Sequence, residues 1–266
     1  PNFSRSCKKH ERQRYTVPDQ RQHRGPHPQD HELFSARHWP VMQQAAADLS
    51  WLLSRGYATA SSLGLVGDRY RLVERQRKAV ARCSCSDASR ARRESHCVPA
   101  GQLVGETLAI DGYNLLTTLE AALGGGIVLH ARDGAFRDMA SMHGTYRKVA
   151  ETLPALIRIG EEIHAREVAA CRWLLDRPVS NSGRLKKIIE ELAAEQDWNW
   201  TVELVPDPDP ILCKSEDVVV TADSMILDAC QRWTNLAHEI IEHSLPDACV
   251  VPLTGDEPLT NDEPQV

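Results

Sequence analysis

Five short apolar runs in the rear part of this chain each lead into an aspartate. Run 107–110 leads to Asp111 in LAIDGYNLL, 127–131 to Asp133 in VLHARDG, and 172–175 to Asp176 in RWLLDRPVSNSG. Run 201–205 leads to Asp207 and Asp209 in ELVPDPDP. Run 218–221 leads to Asp223 in VVVTADSMILD, with Asp228 one helical turn further on. If the runs are strands of a parallel sheet, their C-terminal ends share one edge, where such sheets bind ligands. Carboxylates gathered there repel one another unless a cation neutralises them. Oxygen donors of this kind suit a hard divalent ion, Mg²⁺ or Mn²⁺. Each acid also has a local alternative. Asp223 is placed to cap a helix starting at Ser224, and Asp207 and Asp209 sit in a Pro-rich turn. Asp111 stands out, because Gly112 beside it allows a close backbone approach and Asn114 lies three residues on.

Further polar chemistry follows two of these acids. In VSNSGRL (179–185), Ser180, Asn181, Ser182 and Gly183 offer hydroxyls and backbone N–H groups at a helix start, a phosphate-binding arrangement to which Arg184 adds charge. The same residues also read as a capped helix with Ser182 at the N-cap. In 132–148, Arg132, Arg137, His143, Tyr146, Arg147 and Lys148 form a basic wall over the acids, with Asp138 as a further carboxylate; a solvated amphipathic helix is the alternative. His143 is a candidate base. Of eight cysteines, Cys83, Cys85 and Cys97 cluster beside His96 but lack zinc-site spacing, so they read as free thiols. The glycines at 124–126 precede a strand, whereas a dinucleotide fingerprint follows one, which argues against an oxidoreductase.

The elements that position these residues follow from the hydrophobic pattern. From Glu106 onward the strand-like runs alternate with helical segments at 115–123, 136–163, 182–194 and 224–244; run 250–253 is a sixth candidate strand. That alternation predicts an α/β domain over 105–253, a Rossmann-like parallel sheet of about five strands flanked by helices. Ahead of it, Met42, Ala45, Ala46, Leu49, Leu52 and Leu53 recur at helical spacing, and Gly56 supplies a stop. Short helices at 60–66 and 73–82 follow, the second rich in basic residues. Together they predict a small all-α domain over 31–83, either a helix-turn-helix-like unit or a bundle with a solvated basic face. Residues 1–30 read as a flexible basic arm, 84–104 as a linker and 254–266 as a disordered acidic tail.

Charge is split between the two parts. Residues 1–100 hold 18 Lys and Arg against 9 Asp and Glu, while residues 101–266 hold 13 against 28, a net of +9 and −15 in a chain of net −6. A basic front beside an acidic rear suggests a nucleic-acid-facing module. No apolar run reaches the roughly 18 residues a membrane helix needs, and no secretory core is visible, so no membrane partner and a cytoplasmic location are expected.

IDGYNLL together with VVVTADSMILD resembles the PIN-like nuclease superfamily, in particular its NYN branch, over residues 107–245. More closely, 24–253 resembles a bacterial family, DUF434, that carries a C-terminal PIN-like domain of the DUF5616 type. The residues behind that are RGPHPQD (24–30), LSRGY (53–57), VGDRYRL (66–72), DGYNLLTTLEAAL (111–123), RDMASMHGTYRKV (137–149), DRPVSNSGRL (176–185) and ELVPDPDP (203–210). The resemblance implies a metal-dependent ribonuclease. Asp111 would be the first metal ligand with Asn114 its neighbour, Asp223 the later ligand, and Asp176 and Asp228 additional acids. Ser180, Asn181, Ser182, Arg184, Arg137 and Arg147 would contact phosphates, and RNA is favoured over DNA as partner. The NYN pattern pairs two acids after the later strand, but here Ala222 precedes a single Asp223. Two alternatives stand beside the nuclease: a non-catalytic nucleic-acid or nucleotide binder of the same fold, and a phosphatase-like hydrolase. For the latter, Tyr113 occupies the position where a second aspartate is wanted.

Overall fold

The computed structural model describes residues 25–139 and 146–254. Residues 30–96 are all helical: α1 (Asp30–Leu33), α2 (Trp39–Ser54), α3 (Thr59–Arg69), α4 (Glu74–Cys83) and α5 (Asp87–His96). α2 buries the predicted stripe of Met42, Ala45, Ala46 and Leu49. It ends before Gly56, whose φ of +79° is a left-handed turn that glycine adopts without steric cost. Asp30, the last residue of RGPHPQD, has a structural role. Asp30 is buried, takes two hydrogen bonds from the Arg75 guanidinium and accepts from the His27 backbone N–H.

The rest is α/β: β1 (Thr107–Asp111), α6 (Gly112–Leu123), β2 (Val128–His130), β3 (Phe136–Asp138), α7 (Thr152–Ala165), β4 (Ala170–Asp176), α8 (Ser182–Gln196), β5 (Trp200–Val205), α9 (Asp209–Cys213), β6 (Val218–Val220), α10 (Ser224–Ala229), β7 (Trp233–Thr234), α11 (Leu236–Ser244) and β8 (Val250–Pro252). The main sheet is all parallel in the order β5-β4-β1-β6-β7. Alternation along its strands sets its two faces. Leu108, Ile110, Trp173, Leu175, Val218 and Val220 share one core with residues of α6, α7, α8 and α11. Ala109, Leu174 and Val219 share another with α9 and α10.

Several expectations are corrected. Run 127–131 does not join the main sheet; its strand β2 pairs antiparallel with β3 and parallel with β8 in a second, three-stranded sheet. Ile127, Leu129 and Ala131 pack into the core of the helical region, while Val128 and Phe136 face the α6 and α11 side, so the strand is buried on both faces. The expected helix 136–163 begins as β3, whose residues are all buried, and among the described residues its helical part is α7, from Thr152. The expected helix 224–244 breaks around β7, because buried Trp233 completes the edge of the main sheet. The expected linker contains α5, capped by Ser86, which accepts from the Ser89 N–H. Trp233 donates its indole N–H to the Arg93 carbonyl, and the Val98 N–H donates to the Trp233 carbonyl, so α5 is fixed to that sheet edge.

Candidate functional site

The chain leaves β1 to build β4 and β5 on one side, then crosses to build β6 and β7 on the other. Strand order therefore reverses at β1, and the crevice beyond the C-termini of β1 and β6 is the switch point where open α/β sheets bind ligands. Asp111 ends β1 and Asp223 follows β6, so the two flank that crevice. Both line one cavity of about 420 Å³.

Local chemistry fixes Asp111 in place. It caps α6, its Oδ1 accepting from the Asn114 N–H at 3.4 Å, and its Oδ2 accepts from the Thr221 hydroxyl at 2.8 Å. Gly112 is required for packing: a Cβ there would lie 2.5 Å from Leu175 Cδ2 and 3.1 Å from the Leu174 carbonyl. The close approach is thus to β4. Burial pushes the Asp111 carboxyl up to about 7; the Thr221 and Asn114 hydrogen bonds oppose the rise, and the charges of Asp223 and Asp209 add to it. Asn114 accepts from the Ala222 N–H at 2.8 Å through Oδ1, which ties α6 to the loop carrying Asp223. Asp223 does cap α10, its Oδ1 accepting from Met225 N–H at 2.8 Å. Capping and cavity lining coexist in one side chain.

The acid row is real along part of the sheet edge. Asp176, half-buried at the end of β4, is raised by burial and by Asp207. Asp209 is raised by burial and then by Asp207, Asp223 and Asp176. Asp209 therefore links the Asp111–Asp223 end to the Asp176–Asp207 end, a role its Pro-rich turn concealed. Among the described residues, no three Asp, Glu, His or Cys side chains are close enough to hold one metal ion. The donor set suits an ion that keeps most of its waters and takes one or two carboxylates together with substrate phosphate, which is how Mg²⁺ is usually held.

Two acids leave the row. Asp133 is buried between Arg93 and Arg137, which lie 2.6 Å away on either side. Burial alone would raise its carboxyl, but the two guanidiniums hold it down at about 2. Asp228 takes a bidentate contact from Arg93 at 2.8 Å and does not line the cavity. Arg137, expected on phosphate, borders the cavity but is buried and committed to Asp133 and the Ala222 carbonyl. The cause is shared: buried charges need opposite partners, and these pair with each other.

VSNSGRL is a clasp. The Asn181 amide donates to the Tyr146 carbonyl at 3.0 Å, the Ser180 carbonyl accepts from the Tyr146 N–H, and the Ser182 hydroxyl donates to the Arg177 carbonyl. Asn181, not Ser182, is the N-cap residue of α8 and has a left-handed φ of 69°. Ser180, Arg184 and Arg147 are exposed on this side, and none of the clasp residues lines the cavity. Cys83 and Cys85 are buried free thiols, Cys83 pushed up to about 12 by burial, and Cys97 is also free. His143 lies outside the described residues.

The sequence reading named Asp138 as a further carboxylate but missed Thr117 and Thr118, which line the rest of the cavity with it. Asp138 Oδ2 accepts from the hydroxyls of Thr117 and Thr118 at 3.2 and 3.1 Å, and its carbonyl accepts from Arg82 Nη1 at 2.6 Å. The available signal was the TT pair one helical turn past Tyr113 and Asn114 on one face of α6.

Comparison with known proteins adds the following. A family model described as a domain of unknown function, DUF5616, matches residues 100–239, and one described as a protein of unknown function, DUF434, matches 41–96. An uncharacterized protein of Methanocaldococcus jannaschii is 30% identical over 204 residues, 76% of this chain and 97% of its own length. No solved structure matches.

Proposed function

Because the chain belongs to the DUF5616 family, with DUF434 ahead of it, and neither description carries an activity, the site has to supply the reading: we propose a divalent-metal-dependent nuclease of PIN-like type acting on RNA in the cytoplasm. The observation that carries it is Asp111 and Asp223 facing one cavity across the switch point, with Asp111 buried among like charges. Asp111 and Asp223 would hold Mg²⁺ or Mn²⁺, which supplies charge neutralisation at the phosphate and acidifies a bound water. Thr221 and the Asn114 N–H orient the Asp111 carboxylate, and the Asn114 side chain sets the Asp223 loop against it. Exposed Arg147 and Arg184, together with the basic front of the chain, supply sequence-independent attraction for the strand.

One observation favours a second reading, a non-catalytic RNA binder: no third carboxylate joins the pair within metal-holding distance among the described residues. Incubation of the full chain with single-stranded RNA in Mg²⁺, Mn²⁺ or EDTA separates the two. The nuclease reading expects cleavage in either metal, none in EDTA, and none from Asp111→Ala or Asp223→Ala. If Asp111→Ala cleaves as fast as the unmodified chain, the assignment of the site is wrong. Salt-sensitive RNA binding with no turnover in any metal selects the binder.

A further inference from the structure

Asp223 sits in the short irregular stretch between β6 and α10, so its position depends on what holds the backbone around it. Side chains of three other elements do so. The Ala222 peptide is gripped on both sides. Its N–H donates to Asn114 Oδ1 of α6 at 2.8 Å, and its carbonyl accepts from Arg137 Nε of β3 at 2.8 Å. The Asp223 N–H donates to the Thr221 hydroxyl oxygen at 3.1 Å, and that hydroxyl in turn donates to Asp111. The Ser224 carbonyl accepts from Arg93 Nη2 of α5 at 3.1 Å. Arg93 also holds α10 one turn later, through its bidentate contact with Asp228.

Asp133 joins the two guanidiniums. Its Oδ2 lies 2.6 Å from both Arg93 Nη1 and Arg137 Nη2, and all three side chains are buried. Its Oδ1 accepts from Arg137 Nη1 and from the Ala135 N–H, which anchors it to the turn between β2 and β3. A guanidinium carries five donors in a rigid fork, so one side chain can hold a carboxylate and a backbone carbonyl at once. Apolar side chains could fill the same space as stably. Fixed donors do something apolar packing does not: they set where the carbonyls of Ala222 and Ser224 lie. Arg93 and Asp133 do not line the cavity, so they reach it only through that loop and Arg137. Arg93 lies in the region matched by DUF434, whereas Asp133, Arg137 and the loop lie in the region matched by DUF5616.

We propose that the Arg93–Asp133–Arg137 network is a positioning device that holds Asp223 opposite Asp111, with Arg137 fixing the residue before Asp223 and Arg93 the residue after it. Its effect on cation affinity rests on the metal-dependent reading above; its hold on the loop does not. Through Arg93 the DUF434 region takes part in the site without touching a ligand.

The test uses the full chain and two readouts: amide exchange of Ala222, Met225 and Ile226 in EDTA, and Mn²⁺ affinity from the spin-resonance signal of the free ion. The double variant Asp133→Leu/Arg137→Met removes a buried pair together, so no charge is stranded and Arg93 keeps Asp228. Its three amides are expected to exchange about tenfold faster, and its Mn²⁺ affinity to fall by about 10- to 100-fold. Arg93→Met is expected to speed exchange at Met225 and Ile226. The control Arg75→Met strips buried Asp30 of its guanidinium outside the cavity lining; it should melt lower and change neither readout. The proposal is overturned if the double variant keeps the exchange rates or the Mn²⁺ affinity of the unmodified chain, or if Arg75→Met shifts both readouts as far. Unchanged exchange in Arg93→Met removes the DUF434 region from the device. If the unmodified chain binds no Mn²⁺, the metal-dependent reading falls, and exchange alone decides whether the network holds Asp223.

Discussion

Asp111→Asn tests the central electrostatic claim without any assumption about substrate. In the fold the Asp111 carboxyl is displaced from 3.8 to about 7, mainly by burial at 7% exposure. For an acid whose folded value is raised, the folded state binds more protons than the unfolded chain between the two values. Stability therefore falls as pH rises through that window and is level above it. At about 1.4 kcal/mol for each tenfold change, the ionised folded state forgoes about 4 kcal/mol at pH 8. Asparagine mimics the protonated acid. It still accepts at one oxygen, and the Thr221 hydroxyl can turn to accept from its amide. At pH 8 in EDTA the variant is expected to melt roughly 8–16 °C above the unmodified chain, at roughly 2–4 °C per kcal/mol for a chain of this size. At pH 4.5 the gap is expected to shrink to about 1 kcal/mol, roughly 2–4 °C, and to close below the unfolded value of 3.8. Mg²⁺ should raise the melting temperature of the unmodified chain at pH 8 and leave the variant unmoved. Melts from pH 4.5 to 8.5 decide it, since the difference between the two proteins isolates this one group. A difference that does not grow with pH, or a variant less stable at pH 8, refutes the reasoning.

Three further outcomes follow from the structure. Arg93→Met strips one guanidinium from buried Asp133 and both contacts from Asp228, so urea unfolding should show a loss of about 3–5 kcal/mol. Asp133 itself, held at about 2, stabilises fully above its unfolded value of 3.8 and loses that contribution as pH falls toward 2; Asp133→Asn should abolish that acid-limb slope while lowering stability at pH 7. Gly112→Ala drives a methyl into Leu175 and should cost about 1–3 kcal/mol in urea. The control Gly183→Ala, where nothing lies within 4 Å, should leave stability level or higher.

Much of the site was legible because strand and acid sit side by side in sequence. A strand that ends in an aspartate delivers it to the sheet edge whatever the rest of the chain does, as Asp111 at the end of β1 and Asp176 at the end of β4 illustrate. The helix stop at Gly56 and the buried stripe of α2 were equally local. Strand partners were not local. Run 127–131 has the same apolar texture as the main-sheet strands, yet β2 pairs with β3 and β8, because its two faces are wanted by the helical region and by α6. With that misplacement went Asp133, which sits beside Arg93 and Arg137 rather than beside Asp111.

By itself, then, the sequence determined which residues end strands, start helices and turn corners, since those depend on neighbours within a few positions. Only the tertiary structure decided which charges find partners. Asp133, Asp228, Arg93 and Arg137 come from separated segments and are paired because a buried charge is tolerated only beside its opposite. What that pairing leaves at the cavity is Asp111 held up by burial, Asp223 lining the same cavity, and Arg82 reaching in from the helical region.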